Sequence, residues 1–273
     1  MIIYRGAGIG RRNPLAGVTG LDFPGNAGVT TTMRFGFVNP QNDGLAMNGT
    51  VGDGLTYIWR ALYRAQNASP GYVTTFFYSD DNNWFEGGGD GRGYGMTGFP
   101  VDANFDTDFG ATLDRHIHSL ADGTDFPANQ SNASDYEITY GQWYTQVARI
   151  VHTSSTVVTY DYYPDYESDP TLLLTKTYTA GARNGAPNDP VLMWGDAPHA
   201  QGQEVMSGVL RGFQIYDTLL SLADIDSELS TPGSVQTPWY LKLNPTPTDI
   251  ADDSGNAHNP AWVGSERPTL WEG

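Results

Sequence analysis

The chain predicts an all-β protein: a sandwich of two antiparallel sheets with one short helix and an ordered C-terminal extension. Three observations predict it. Glycine (33 residues), proline (17) and aromatics (12%) accompany apolar runs that are all short, as in strands joined by tight turns. Residues 140–160 and 208–216 alternate with the period of two that a packed strand shows. A sustained helical period occurs only at 219–229, where Leu219, Leu222, Ile225 and Leu229 recur at spacings of three and four behind the N-cap candidate Ser221. A chain of 273 residues buries a large core within one domain.

In chain order, residues 1–30 are Gly-rich and polar, an arm or a first edge strand. MRFGFVNP (33–40) is the first clear strand, followed by LTYIWRALYR (55–64) and GYVTTFFYS (71–79). A glycine-rich loop from Gly87 to Gly98 separates these from a strand within DRHIHSL (114–120), and SNASDYE (131–137) is a turn. In Tyr140–Tyr160 a strand presents Trp143, Thr145, Val147, Arg149 and Val151 on one face. Tyr144, Gln146, Ala148, Ile150 and His152 lie on the other, and a turn at Thr153–Thr156 leads to a second strand. VLMWG (191–195) is an apolar strand entering the loop DAPHAQGQE. In Gly208–Leu229, Val209, Arg211, Phe213 and Ile215 alternate with Leu210, Gly212, Gln214 and Tyr216 before the helix. The tail holds Trp239, Trp262 and Trp271, which argue for order because disordered segments are poor in aromatics. The sandwich is therefore expected over 31–231, with 232–273 packed on the same domain. No fixed-period repeat is visible.

The strand ending in Ile215-Tyr216, followed by the cap Leu220-Ser221 with Ile225 four residues on, resembles the closing segment of laminin-G-like domains. These form a branch of the concanavalin A-like lectin and glucanase superfamily. The strand opening Trp143-Tyr144 and carrying Ala148 is similar to the one that family places just upstream, and residues 55–79 resemble its early strands. The likeness covers roughly residues 50–230 and implies a jelly-roll sandwich. The chain departs from it in the acidic insert DYYPDYESDP (161–170) and in everything after Pro232. Binding residues that the family carries on that hairpin are therefore not transferred.

Asp and Glu outnumber Lys and Arg by 31 to 14, for a net charge of −17, which excludes nucleic acid as a partner because phosphate binding rests on Lys and Arg. The absence of cysteine removes disulfides and thiolate metal sites. The N-terminus lacks the apolar core of a signal peptide, and no segment approaches a membrane span. An acidic, cysteine-free, all-β chain on a lectin-like scaffold fits a virion or extracellular surface, with a bacteriophage particle as the expected setting. Other virion or surface proteins, or further copies in a homo-oligomer, are its expected neighbours. Asn-x-Ser/Thr sequons at Asn48, Asn67, Asn129 and Asn132 read as chance in that setting.

Glycan recognition needs flat aromatic faces beside hydroxyl-binding polar groups. Trp84, flanked by Asn82, Asn83 and Glu86, offers both, against the alternative of a Trp plugging its own loop. Trp194, Asp196 and His199 mark a strand end where sandwich loops gather, against a core Trp with a turn Asp. Tyr163 belongs to an aromatic, acidic hairpin with Tyr160, Tyr162 and Tyr166, suited to an interface. No cofactor is required. Calcium is the candidate ion, with oxygen ligands from Asp80, Asp81 and Asp90 with Asn83, or from Asp249, Asp252, Asp253 and Asn256, against the usual Asx turns. None of the seven glutamates falls in the Glu-x-Asp-x-x-Glu strand of the superfamily's glucanases. A polysaccharide lyase is the enzymatic alternative, with Arg115, His116 and His118 on one strand meeting Tyr144 and Gln146 across a sheet. The two histidines would share a face about 7 Å apart along it. Ser-His-Asp, P-loop and HExxH patterns are absent. The expected function is a non-catalytic glycan-recognition or decoration module, with the lyase and a purely structural virion protein as rivals.

Overall fold

The computed structural model describes residues 18–25, 33–38, 44–45, 52, 54–64, 73–79, 93–100, 115–122, 136–154, 157–171, 174–179, 191–196 and 205–273. The strands are β1 (Thr19–Pro24), β2 (Arg34–Val38), β3 (Gly54–Tyr63), β4 (Val73–Ser79), β5 (Gly93–Pro100), β6 (Arg115–Asp122), β7 (Tyr136–Thr139) and β8 (Trp143–Ser154). They continue as β9 (Val157–Tyr163), β10 (Leu174–Thr179), β11 (Val191–Trp194), β12 (Ser207–Tyr216), β13 (Tyr240–Lys242), β14 (Ala261–Val263) and β15 (Thr269–Glu272), with helix α1 (Leu222–Ser230) between β12 and β13. No helix among the described residues is long and apolar enough to cross a membrane.

Two antiparallel sheets result. One runs β10-β9-β8-β3-β12-β1-β15, with β13 also on β12; the other runs β14-β2-β11-β4-β5-β6-β7. The first four strands alternate between the sheets, and the chain returns to place β11 between β2 and β4 and β12 between β1 and β3. A ribbon of paired strands thus wraps both sheets, the jelly-roll arrangement.

The segment expected as an arm or edge strand contains β1, which is flanked on both sides by β12 and β15 and so is not an edge. The even alternation expected along residues 209–216 does not hold either. Pairing with β3 shifts between Arg211 and Gln214, and Gly212 sits there at φ +70°. An extra residue in a strand reverses which side chains face in, and a positive φ is what glycine supplies without a Cβ clash. Leu210, Phe213 and Ile215 therefore all reach the core, while Tyr216 packs on the outer face. The same shift lets β12 pair with β1 through residues 207–210 and with β13 through 213–215.

The core between the sheets is aromatic. Phe35 stacks on Trp194 at 5.5 Å, Phe213 meets both edge-on at 5.0 Å, and Trp262 joins Phe35 at 5.2 Å. Phe37 contacts Trp239 and Tyr240, and Trp59 lies parallel to Tyr162. The tail is thus woven into the domain, with Trp239 buried and Trp262 and Trp271 half-buried. A chain stopped after Pro268 loses β15, its four register pairs with β1 and the Trp271 side chain. Half-burying an indole contributes on the order of 1.5 kcal/mol. Scanning calorimetry is expected to show a thermal midpoint lower by roughly 5 °C, with faster proteolysis of β1.

Helix α1 begins with a reciprocal capping box: Asp224 N–H donates to Ser221 Oγ, and Ser221 N–H donates back to the Asp224 carboxylate. It lies over the outer face of the eight-stranded sheet, where Ile225 packs with Ile58, Val147, Tyr163, Tyr166, Tyr216 and Leu220. Leu222, expected on its buried face, is 40% exposed, while Glu228 is wholly buried. The chain after the helix turns back over Glu228 and gives its carboxylate partners.

Candidate functional site

Of the residues singled out by sequence, Trp84, Asn82, Asn83, Glu86, Asp80, Asp81, Asp90 and His199 lie outside the described residues. Trp194, weighed between a binding rim and the core, is in the core, at 0% exposure between Phe35 and Phe213, so no indole face is left for a sugar. Asp196 is also fully buried; it accepts from Met33 N–H at 3.4 Å and is coupled to the buried cation Arg34. Burial holds the Arg34 guanidinium below its usual value, with Asp196 opposing that shift. Tyr163 is buried too, edge-on to Tyr166 beneath α1. The insert's tyrosines thus serve packing: Tyr166 Oη lies 2.9 Å from the Leu222 carbonyl and 3.1 Å from Asp226 Oδ1.

The lyase set is divided by topology. Arg115, His116 and His118 are on β6 between β5 and β7, whereas Tyr144 and Gln146 are on β8 between β3 and β9, in the opposite sheet. Their expected meeting across one sheet does not occur. Tyr144 Oη accepts from Thr139 N–H at 2.9 Å, and Gln146 Oε1 accepts from Tyr63 Oη–H at 2.8 Å. Both side chains are buried.

The tail carboxylates are likewise already engaged. The buried Lys242 ammonium donates to Asp249 Oδ2 at 2.8 Å and to Asp253 Oδ1 at 3.2 Å. Asp252 accepts from the amides of Leu241, Ser254 and His258. The Lys242 bond holds the Asp249 carboxyl below its ordinary value, and an amine at the centre of the cluster excludes a cation from the same place. Among the described residues no group of three or more His, Asp or Glu is arranged to hold a metal.

What the fold does assemble is a surface on the outer face of the eight-stranded sheet, beside the part covered by α1. Along β3, Tyr57, Trp59, Ala61 and Tyr63 point to the core, which sends Arg60 and Leu62 outward; along β8, Tyr144 and Ala148 point in and Trp143 and Thr145 out. Register sets Arg211 opposite Arg60 and Arg60 opposite Thr145, with Val209, Leu62 and Trp143 in the adjacent row. From β15, Trp271 pairs with Gly20 and meets Trp143 edge to face, ring centroids 5.1 Å apart. Both indoles are half-buried and form an apolar corner.

Charge is concentrated around this corner. The Arg211 guanidinium sits 4.9 Å from the centre of the Trp143 ring, a cation–π distance. Arg60 Nε is 3.6 Å from Glu167 Oε2, and the same carboxylate oxygen accepts from Thr145 Oγ1. At the far end Arg64 makes a two-pronged pair with Asp22, at 2.6 and 3.1 Å. Burial, then the like charge of Arg60, push Arg211 down to about 10 with Glu167 opposing, so it stays cationic at neutral pH. Trp143 lies on a face that the sequence pattern marks out. The missing piece was Trp271, because only tertiary pairing brings β15 through β1 to that face.

No family model matches the chain, and no curated protein matches it. Among solved structures, a heptameric SAP-like pentraxin from Limulus polyphemus aligns over 93% of this chain and 95% of its own, at 13% identity and a TM-score of 0.48. A scytalido-glutamic peptidase aligns over 72% of this chain and 86% of its own, at 10% identity and a TM-score of 0.33. NanB bound to optactamide aligns over 78% of this chain and 28% of its own, at 10% identity and 0.36. None of these likenesses assigns a ligand or a site residue.

Proposed function

We propose that this protein is a non-catalytic glycan-recognition module that binds through the outer face of its eight-stranded sheet. The observation that carries the reading is the half-exposed Trp143–Trp271 corner, edged by Arg211, Arg60, Thr145 and Glu167. Sugar rings combine an apolar face with a rim of hydroxyls, and this surface sets two half-buried indoles beside charged hydrogen-bonding groups. Within the sandwich class the laminin-G-like branch is the family we propose. The Ile215-Tyr216 strand end and the Ser221 cap that resemble it fold as β12 and the capped start of α1. Display on a virion or other outer surface extends the proposal and rests on the acidic, cysteine-free composition. No cofactor enters this reading.

A glycan array followed by calorimetry on the best ligand tests it. Trp143→Ala and Trp271→Ala are each expected to weaken binding about tenfold, the loss of roughly 1.4 kcal/mol of contact, with near-UV circular dichroism confirming the fold. Trp84→Ala reports on the separate loop expectation. Binding lost in Trp84→Ala but kept in Trp143→Ala and Trp271→Ala moves the site to that loop. Cleavage of a uronate polymer, abolished by His116→Ala or His118→Ala, replaces the reading with the lyase.

A further inference from the structure

The two arginines at the corner are an unusual pairing for a resting surface. Arg211 and Arg60 stand directly opposite each other on β12 and β3, and like charges in that position repel. One carboxylate serves both, and it serves them unevenly. Glu167 is 3.6 Å from Arg60 Nε, its side chain is 53% exposed, and its Oε2 also accepts from Thr145. The Arg211 side chain makes no hydrogen bond or ion pair among the described residues, only the contact with Trp143, and its buried Nε has no hydrogen-bond partner. Arg64, by contrast, is matched by Asp22. In a chain of net charge −17, a locally positive, donor-rich spot beside two indoles is the reverse of the surroundings.

We infer that the glycan recognised at this corner is acidic, its sugar carboxylate received by the Arg211 guanidinium with Arg60 beside it, while the ring lies against Trp143 and Trp271. The inference rests on the glycan reading above and names its ligand class. A guanidinium presents parallel N–H donors in a plane that matches a carboxylate, and a bound anion removes the Arg–Arg repulsion instead of adding to it. Glu167 sets a limit on the opposite side: it repels a second carboxylate placed near Thr145, so the site takes one sugar carboxylate at a time.

The test uses three probes against the full chain: oligogalacturonate, the same oligomer with its carboxyl groups reduced to alcohols, and sulfated dextran. Calorimetry is expected to show oligogalacturonate binding that weakens at least about tenfold on carboxyl reduction and falls with added salt. Arg211→Gln should weaken it by a similar factor. Arg211→Lys should recover little, because an ammonium keeps the charge but lacks the planar fork. Thermal midpoints of both variants near that of the parent keep folding out of the comparison. Equal binding of the native and reduced oligomers, with Trp143→Ala still weakening both, overturns the acidic ligand and leaves the glycan reading standing. Tighter binding of sulfated dextran than of oligogalacturonate overturns the carboxylate assignment. Binding of none of the probes, together with an empty glycan array, overturns the glycan reading itself.

Discussion

Glu228→Ala is expected to cost about 3 kcal/mol of folding stability, the scale for removing a buried charged acceptor and leaving its donors unpaired. The Glu228 carboxylate accepts from Tyr216 Oη–H at 2.8 Å and from the amides of Val235 and Gln236 at 2.7 and 2.8 Å, with the Gly233 amide as a fourth donor. It fixes the turn after α1 and thereby holds the helix on the sheet. Burial works to raise its pKa, but the bonds from Gln236, Tyr216, Val235 and Gly233 outweigh it and hold the carboxyl below its usual value. The pH dependence follows in sign. A carboxyl with a depressed folded-state pKa contributes fully above its unfolded value of about 4.3, and that contribution is lost as pH falls through the folded value. Chemical denaturation should therefore show parent and Glu228→Ala differing most at neutral pH and converging in acid. Equal stabilities at pH 7 would show that the four bonds contribute nothing net.

Gly208→Ala is expected to do more damage, about 4 kcal/mol or above, and to leave little soluble protein. Gly208 lies on β12 at φ +146°, and a Cβ there would stand 2.0 Å from the Leu62 carbonyl oxygen. That oxygen belongs to the backbone of the neighbouring strand and has no rotamer to move into. The substitution must part β12 from β3 or re-form the strand, a backbone and packing effect of the kind behind the largest single-mutation losses. Gly141→Ala is the control. It also has a positive φ (+78°), but nothing lies within 4 Å of an added Cβ, so about 1 kcal/mol of backbone strain is expected. Urea unfolding of the two variants separates contact from conformation; similar losses would mean that the contact carries no weight.

Local signals carried much of the architecture. Alternation over 143–151 gave β8 and its two faces, and Ser221 and the Leu-rich period gave α1 to within a residue of its start. What escaped was non-local. Nothing in residues 19–24 announces a strand between two others, since its partners are nearly 190 and 250 residues away. The Tyr-rich insert read as an exposed interface because its composition is polar and aromatic; the helix that buries Tyr163 and Tyr166 comes some sixty residues later. Trp194 was ambiguous between rim and core until β2 supplied Phe35. The candidate surface was half legible for the same reason: Trp143 by periodicity, Trp271 only by pairing.

The seating of β1 between β12 and β15 also sets a clock on synthesis. Gly273 N–H donates to the Val18 carbonyl at 3.1 Å, which extends the β1–β15 pairing by one bond. At roughly 5 to 20 residues per second, β1 waits on the order of ten to fifty seconds on the ribosome before β15 is made. Until then β12 covers one edge of β1, the edge toward β15 stays open, and the aromatic corner does not exist. A nascent chain interrupted anywhere before Trp271 therefore leaves that edge open and has no corner, so ligand binding reports that synthesis has passed β15.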